Sequence, residues 1–233
     1  MAHVNKPTFW QKASRYRFIK KKLSTKNLDR LCQENATDKK TLVVHSEDVD
    51  YKPFFPNSFA ITKRKSKSAD MYVDLYYRDI YKIESESYDV ILCTGLLEHV
   101  PDPQRLIDEM RRILKTKGQL IISASTVFSI HEGPDDFFHF THYGFIELFK
   151  EWSEIRELKG SSQPFETVGI LLQRALLQCD ISPPLRPIIE LLSFLIPLFD
   201  KGIKSQYRKV GDRKEEDLID SMMPSNIQAV VIK

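Results

Sequence analysis

The stretch 88–124 constrains this chain more than any other. Tyr88-Asp89-Val90-Ile91-Leu92-Cys93 is an apolar run with β-branched residues, the pattern of a strand buried on both faces. Leu106, Ile107, Met110, Ile113 and Leu114 then share one face at helical spacing, which predicts a helix over 103–114. Gly118 closes the following turn, and Gln119-Leu120-Ile121-Ile122-Ser123-Ala124 reads as a second strand. Strand, helix, strand at this spacing is a βαβ unit with a parallel pair, so the expected class is α/β.

The same reading puts strands at 41–44, 58–62, 71–75, 154–158 and 229–232, and a helix opened by Thr141 as N-cap that runs to about Trp152. The region 167–199 is strongly apolar and is broken by Pro183, Pro184 and Pro187, which suggests two helices with a kinked junction. The expected organisation is a basic N-terminal helical segment over 1–40 and a core over 41–160. An apolar helical insert over 161–203, a charged linker over 204–225 and a closing strand over 226–233 follow. No internal repeat is visible.

Composition narrows the function classes. With 42% hydrophobic residues there is material for a core, and a net charge of +3 gives no ground for nucleic-acid binding. Basic residues from Lys12 to Arg30 alternate with Trp10, Tyr16, Phe18, Ile19 and Leu23, the spacing of an amphipathic helix. Such a segment serves either as a solvated charged face or as a contact to an anionic surface. Cys32, Cys93 and Cys179 are far apart and odd in number, which suits a reducing, cytoplasmic compartment better than a disulfide framework. The most apolar run, 188–199, is too short to span a bilayer and contains Pro197. A soluble protein is expected, with peripheral membrane contact and a homodimer both left open.

Beyond the strand, Thr94-Gly95-Leu96-Leu97-Glu98-His99-Val100-Pro101 and then Arg112-Ile113-Leu114-Lys115 with Gly118 complete a longer pattern. This block resembles the fourth strand and following loop of class I S-adenosylmethionine-dependent methyltransferases, with Lys117 in place of the first glycine of their closing pair. A second stretch, Pro134-Asp135-Asp136-Phe137-Phe138-His139-Phe140-Thr141, is similar to a Pro-x-Asp-Tyr-x-Arg-Tyr-Thr segment in a type 11-like subgroup found near glycan-biosynthesis enzymes, with His139 where arginine is usual. The resemblance implies a Rossmann-like three-layer sandwich, a mostly parallel sheet with an antiparallel last strand, and S-adenosyl-L-methionine as cofactor. It leaves the apolar insert as an addition. It also implies cofactor contacts at His45, Ser46 and Glu47 after the first strand, at Asp74 and Leu75 after the third, and at Cys93, Thr94 and Gly95 after the fourth.

One departure from that family is plain. Its glycine-rich turn lets the backbone approach the cofactor without a Cβ in the way. Here the corresponding stretch, 44–51, has no glycine, and Gly95 is the first glycine in the chain. Pro53 and Pro56 also leave little room for a helix between the first two strands.

Methyl transfer to a hydroxyl needs positioning and removal of a proton. His99, in the strand-end loop and with an ordinary pKa near working pH, is the expected base; a histidine that packs the loop is the alternative. His131, Asp136 and His139 are expected at the acceptor, a small molecule or glycan precursor. Imidazole and carboxylate together also suit a divalent metal, but no helical metal-binding spacing exists, so none is expected. The rival to an O-methyltransferase is a catalytically inactive module that keeps the fold for binding. A pocket filled by His45, Tyr51 or Phe54 side chains would favour the rival.

Overall fold

The computed structural model describes residues 22–45, 50–62, 69–73, 80–207 and 219–233. Seven strands form one sheet in the order β3-β2-β1-β4-β5-β7-β6. They are β1 (Thr41–His45), β2 (Ser58–Thr62), β3 (Met71–Tyr72), β4 (Tyr88–Thr94), β5 (Leu114–Ser125), β6 (Glu154–Gly160) and β7 (Asn226–Ile232). β1 to β5 run parallel, and β7 lies antiparallel to both β5 and β6. The α/β class, the parallel core and the antiparallel last strand are therefore as the sequence predicts.

Strand periodicity makes three layers. Leu42, Val44, Ile91 and Cys93 pack on one face of the sheet with Leu106, Ile107, Met110 and Phe145. Their chain neighbours Val43, Val90 and Leu92 pack on the other with Leu31, Tyr51 and Phe55. The first face is covered by α2 (Pro103–Ile113) and α3 (His142–Glu147), and the second by α1 (Leu23–Glu34). Asp102 caps α2, its carboxylate accepting from the Arg105 N–H at 3.1 Å, and Pro103 fits at the first helical position. Thr141 caps α3 as predicted, accepting from the Gly144 N–H at 3.2 Å.

Several expected boundaries move. β5 starts at Leu114, so Gly118 lies inside a strand at an irregularity of register and does not close a turn. Lys117, in the place of the missing glycine, takes the left-handed φ of 62°. α3 is six residues long and stops at Glu147, well short of Trp152. The third strand has only Met71 and Tyr72 within the described residues. The basic segment is helical from Leu23; its earlier part, the 63–67 cationic run and 208–218 of the charged linker lie outside the described residues.

The apolar insert folds as two helices, as its prolines predict: α4 (Pro164–Gln178) and α5 (Arg186–Leu195), the latter continued by a 3-10 segment, Ile196–Gly202. No helix among the described residues is long and apolar enough to cross a membrane. α4 and α5 meet at Gly169, where an added Cβ would lie 2.6 Å from the Ser193 carbonyl oxygen and 2.9 Å from Pro197 Cγ. Alanine gains about 1 kcal/mol of helix propensity over glycine, but a backbone atom at this distance cannot yield without moving α5. Overpacking costs about 1–3 kcal/mol. Gly169→Ala should therefore lower the denaturant midpoint, and urea unfolding followed by circular dichroism checks the sign.

Candidate functional site

Parallel strands deliver their carboxyl ends to one edge of the sheet, where open α/β folds bind ligands. At that edge a cleft of about 170 Å³ is lined by residues from β4 (Thr94), its exit (Gly95, Glu98), β5 (Ser123, Ser125) and β7 (Asn226, Gln228). The remaining walls come from α1, through Asn27 and Leu28, from Tyr51, from Phe128 and His131, and from Arg174 of α4. Gly95 has φ 56°, a backbone conformation that the sharp exit from β4 requires and a side chain would resist.

Glu98 is the structural knot. It sits in a short 3-10 turn, Leu97–His99, and is 1% exposed. Its backbone carbonyl accepts from the N–H groups of Phe137 and Phe138, at 2.9 and 3.2 Å. Its Oε1 accepts from Ser125 Oγ at 2.7 Å, while Oε2 is buried with no partner. Burial raises the Glu98 carboxyl above the ordinary carboxylate range, against lowering by the Ser125 hydroxyl. His131 moves the other way: burial, then the neighbouring His99, lower its imidazole below the usual histidine value.

Of the residues expected from sequence, Thr94, Gly95 and His131 line the cleft. Four others are corrected. Cys93 is wholly buried in the core, where burial and then the Glu98 charge push its thiol far up, so its side chain faces away from any ligand. His99 is 1% exposed beneath the cover loop, its Nδ1 2.6 Å from the Asp135 carbonyl, and it does not line the cleft. Asp136 also lies behind the wall. Its Oδ2 accepts from the His131 N–H at 2.8 Å and stands 3.4 Å from His131 Nδ1 and 3.6 Å from His139 Nε2. His139 therefore pairs with Asp136 instead of facing the cleft. His45 ends β1, next to Thr94 in register. Ser46, Glu47, Asp74 and Leu75 lie outside the described residues.

Sequence reasoning missed Asn27, Gln228 and Arg174 as wall residues, because neither helical nor strand periodicity says which polar residue ends up at a strand end. It did single out Tyr51. That side chain is buried, and its hydroxyl is 2.7 Å from Thr94 Oγ1. The backbone makes this possible with a tight turn in which the N–H groups of Phe54 and Phe55 both reach the Tyr51 carbonyl, at 3.0 Å. Two groups, Glu98-His99-His131 and His131-Asp136-His139, bring metal-ligand atom types within 4.8 Å of one another. However, the Nδ1 atoms of His99 and His131 point at backbone carbonyls, at 2.6 and 3.1 Å, which makes them proton donors and not ligands at those atoms.

Residues 49–122 match a family model described as a methyltransferase domain. That stretch, about a third of the chain, is what ties it to methyltransferases in sequence. A ubiquinone biosynthesis O-methyltransferase of Coxiella burnetii (strain Dugway 5J108-111) is 27% identical over 116 residues, 42% of this chain and half the length of that relative. Among solved structures, the [4+2]-cyclase SpnF superposes with a TM-score of 0.52 at 13% identity, covering 94% of this chain and 84% of that one. A Haemonchus contortus N-methyltransferase, crystallised with phosphomonomethylethanolamine and S-adenosylhomocysteine, gives 0.53 at 11% identity, covering 90% of this chain and 53% of that one. At such identities the likeness establishes the methyltransferase fold and not a shared reaction.

The raised Glu98 carboxyl has a measurable consequence for the fold. Its folded state holds the proton more tightly than the unfolded state, so the contribution is present below the unfolded pKa of about 4.3 and is lost as pH rises. Glu98→Gln keeps the Ser125 hydrogen bond and removes the ionisation. Relative to the wild type, this variant should gain stability between pH 5 and pH 8 (about those values) in urea titrations; an equal pH slope in both proteins contradicts the assignment.

Proposed function

We propose that the domain transfers a methyl group from S-adenosyl-L-methionine to a hydroxyl of a small, polar acceptor of the sugar or glycan type. One observation carries this reading. Three buried polar atoms on residues lining the cleft, Asn27 Nδ2, Glu98 Oε2 and Gln228 Oε1, have no hydrogen-bond partner. Each such group costs about 1–3 kcal/mol while unsatisfied. A ligand rich in hydroxyls suits a lining of this kind, because a hydroxyl both accepts from an amide and donates to a carbonyl or carboxylate.

Cleft size supports a division of labour. At about 170 Å³ it is smaller than the roughly 300–1,000 Å³ of drug-sized pockets, so it takes an acceptor and not the whole cofactor as well. Thr94 and Gly95, where β4 ends, are the described residues that fit the cofactor, Gly95 because it offers no Cβ at a positive φ. Ser46, Glu47, Asp74 and Leu75 would complete that contact. When bound, the cofactor supplies a methyl group on a sulfonium.

His131 is the base in this reading, in place of His99. A proton on its Nδ1, donated to the Ser129 carbonyl, leaves Nε2 with the lone pair. Its lowered pKa keeps the ring neutral and ready to take the acceptor's proton, and Asp136 behind it steadies the imidazolium that results. Asn27 and Gln228 orient the acceptor from the flanks.

A second reading, a methyltransferase-fold module that binds without catalysing, is favoured by the Tyr51 side chain standing on Thr94. Incubation with tritium-labelled S-adenosylmethionine separates the two. The catalytic reading expects label on a polyhydroxylated member of an acceptor panel that also contains catechols. It further expects His131→Gln to lower kcat by about 10²–10⁴-fold with KM little changed. Absence of label on every acceptor would favour the binding module.

A further inference from the structure

The outer helix of the insert is inverted relative to an ordinary surface helix. Along α5 the buried residues are Arg186, Glu190 and Ser193, all polar. Arg186 Nη2 donates to the Leu176 carbonyl at 2.9 Å, and Ser193 Oγ donates to the Glu190 carbonyl at 2.7 Å. These bonds turn the apolar side outward. Ile188, Leu191, Phe194, Leu195, Leu198 and Phe199 are each between 41% and 63% exposed. The charged residues between 185 and 199 are Arg186 and Glu190, and both are buried, so no charge interrupts the exposed face. Contiguous apolar surface of this kind marks an interaction site.

Charge decides what covers it. Lys201 and Lys204 are exposed at the end of the face. The first 22 residues hold seven cations, Lys6, Lys12, Arg15, Arg17 and Lys20 to Lys22, and no acidic residue. That segment joins the described fold at Leu23, whose N–H donates to Gln173 Oε1 at 3.1 Å. The Gln173 side-chain amide in turn reaches Ser193 Oγ at 3.5 Å, on the inner side of α5. The cation-rich, aromatic-bearing sequence therefore enters the described fold at the helix pair that carries the uncharged apolar face. An apolar face with cations beside it matches an anionic bilayer, which takes the first into its acyl boundary and attracts the second to its headgroups. A second copy of the chain would bring two sets of like charges together.

We propose that the outer face of α5 and the following 3-10 segment docks on the surface of an anionic lipid bilayer, without spanning it. This stands apart from the catalytic reading and concerns where the domain works.

Flotation of the full chain with vesicles of phosphatidylcholine, alone or mixed with phosphatidylglycerol, tests it. The wild type should bind the mixed vesicles at least about tenfold more tightly than the neutral ones, and less tightly at high salt. Leu191→Glu/Leu198→Glu should lose at least about tenfold in that binding with its melting temperature unchanged, since both side chains are exposed in the fold. Equal binding to both vesicle types, no binding to either, or unchanged binding by the variant overturns the proposal. So does a wild-type dimer in sedimentation that the variant converts to monomer, which would make a second copy the occupant.

Discussion

A carboxylate with almost no exposure is costly to place beside an apolar sheet, and much of this site follows from how Glu98 is accommodated. Removing a charged group from water costs several kcal/mol unless hydrogen bonds or a proton compensate. Here the Ser125 hydroxyl meets one oxygen, and burial favours the proton on the carboxyl. The same residue's carbonyl anchors the cover loop through Phe137 and Phe138. The exit of β4, the end of β5 and the loop carrying His131 are thereby tied at one point. The other oxygen, Oε2, is left buried without a partner beside the cleft.

From that knot the rest is arranged outward. Asp136 and His99 lie behind the loop and hold His131 in place from its far side, by a backbone bond at 2.8 Å and a ring contact at 4.6 Å. α1 closes the cleft opposite, held by Arg30 on the Ser161 carbonyl at 2.7 Å and by Leu23 on Gln173. The insert braces α1 and shows its apolar side to the exterior. Site and proposed docking face therefore share one scaffold, the α1–α4 contact, with Gln173 bonded to both α1 and α5.

Much of the fold was legible in the sequence because it rests on local periodicity. The βαβ unit, the capping by Thr141 and the two insert helices follow from apolar spacing, caps and prolines, whereas the antiparallel direction of the last strand comes from the family resemblance. The failures have physical causes. The end of α3 at Glu147 is set by packing of Phe145 and Phe149 into the core, which propensity does not report. His131 lines the cleft and His99 does not, because side-chain direction at a strand end depends on a loop more than thirty residues away in sequence. Cys93 was assigned to the ligand by position in the pattern, yet strand alternation turns its side chain into the core.

This edge of the sheet is proposed still to take the cofactor despite a glycine-free first turn and a tyrosine on Thr94. Calorimetric titration of the full chain with S-adenosylhomocysteine tests it most directly. Saturable binding near micromolar, about −8 kcal/mol, is the predicted result. No heat at two temperatures, from protein that unfolds cooperatively on warming, would contradict the claim and leave a methyltransferase fold that has given up its cofactor.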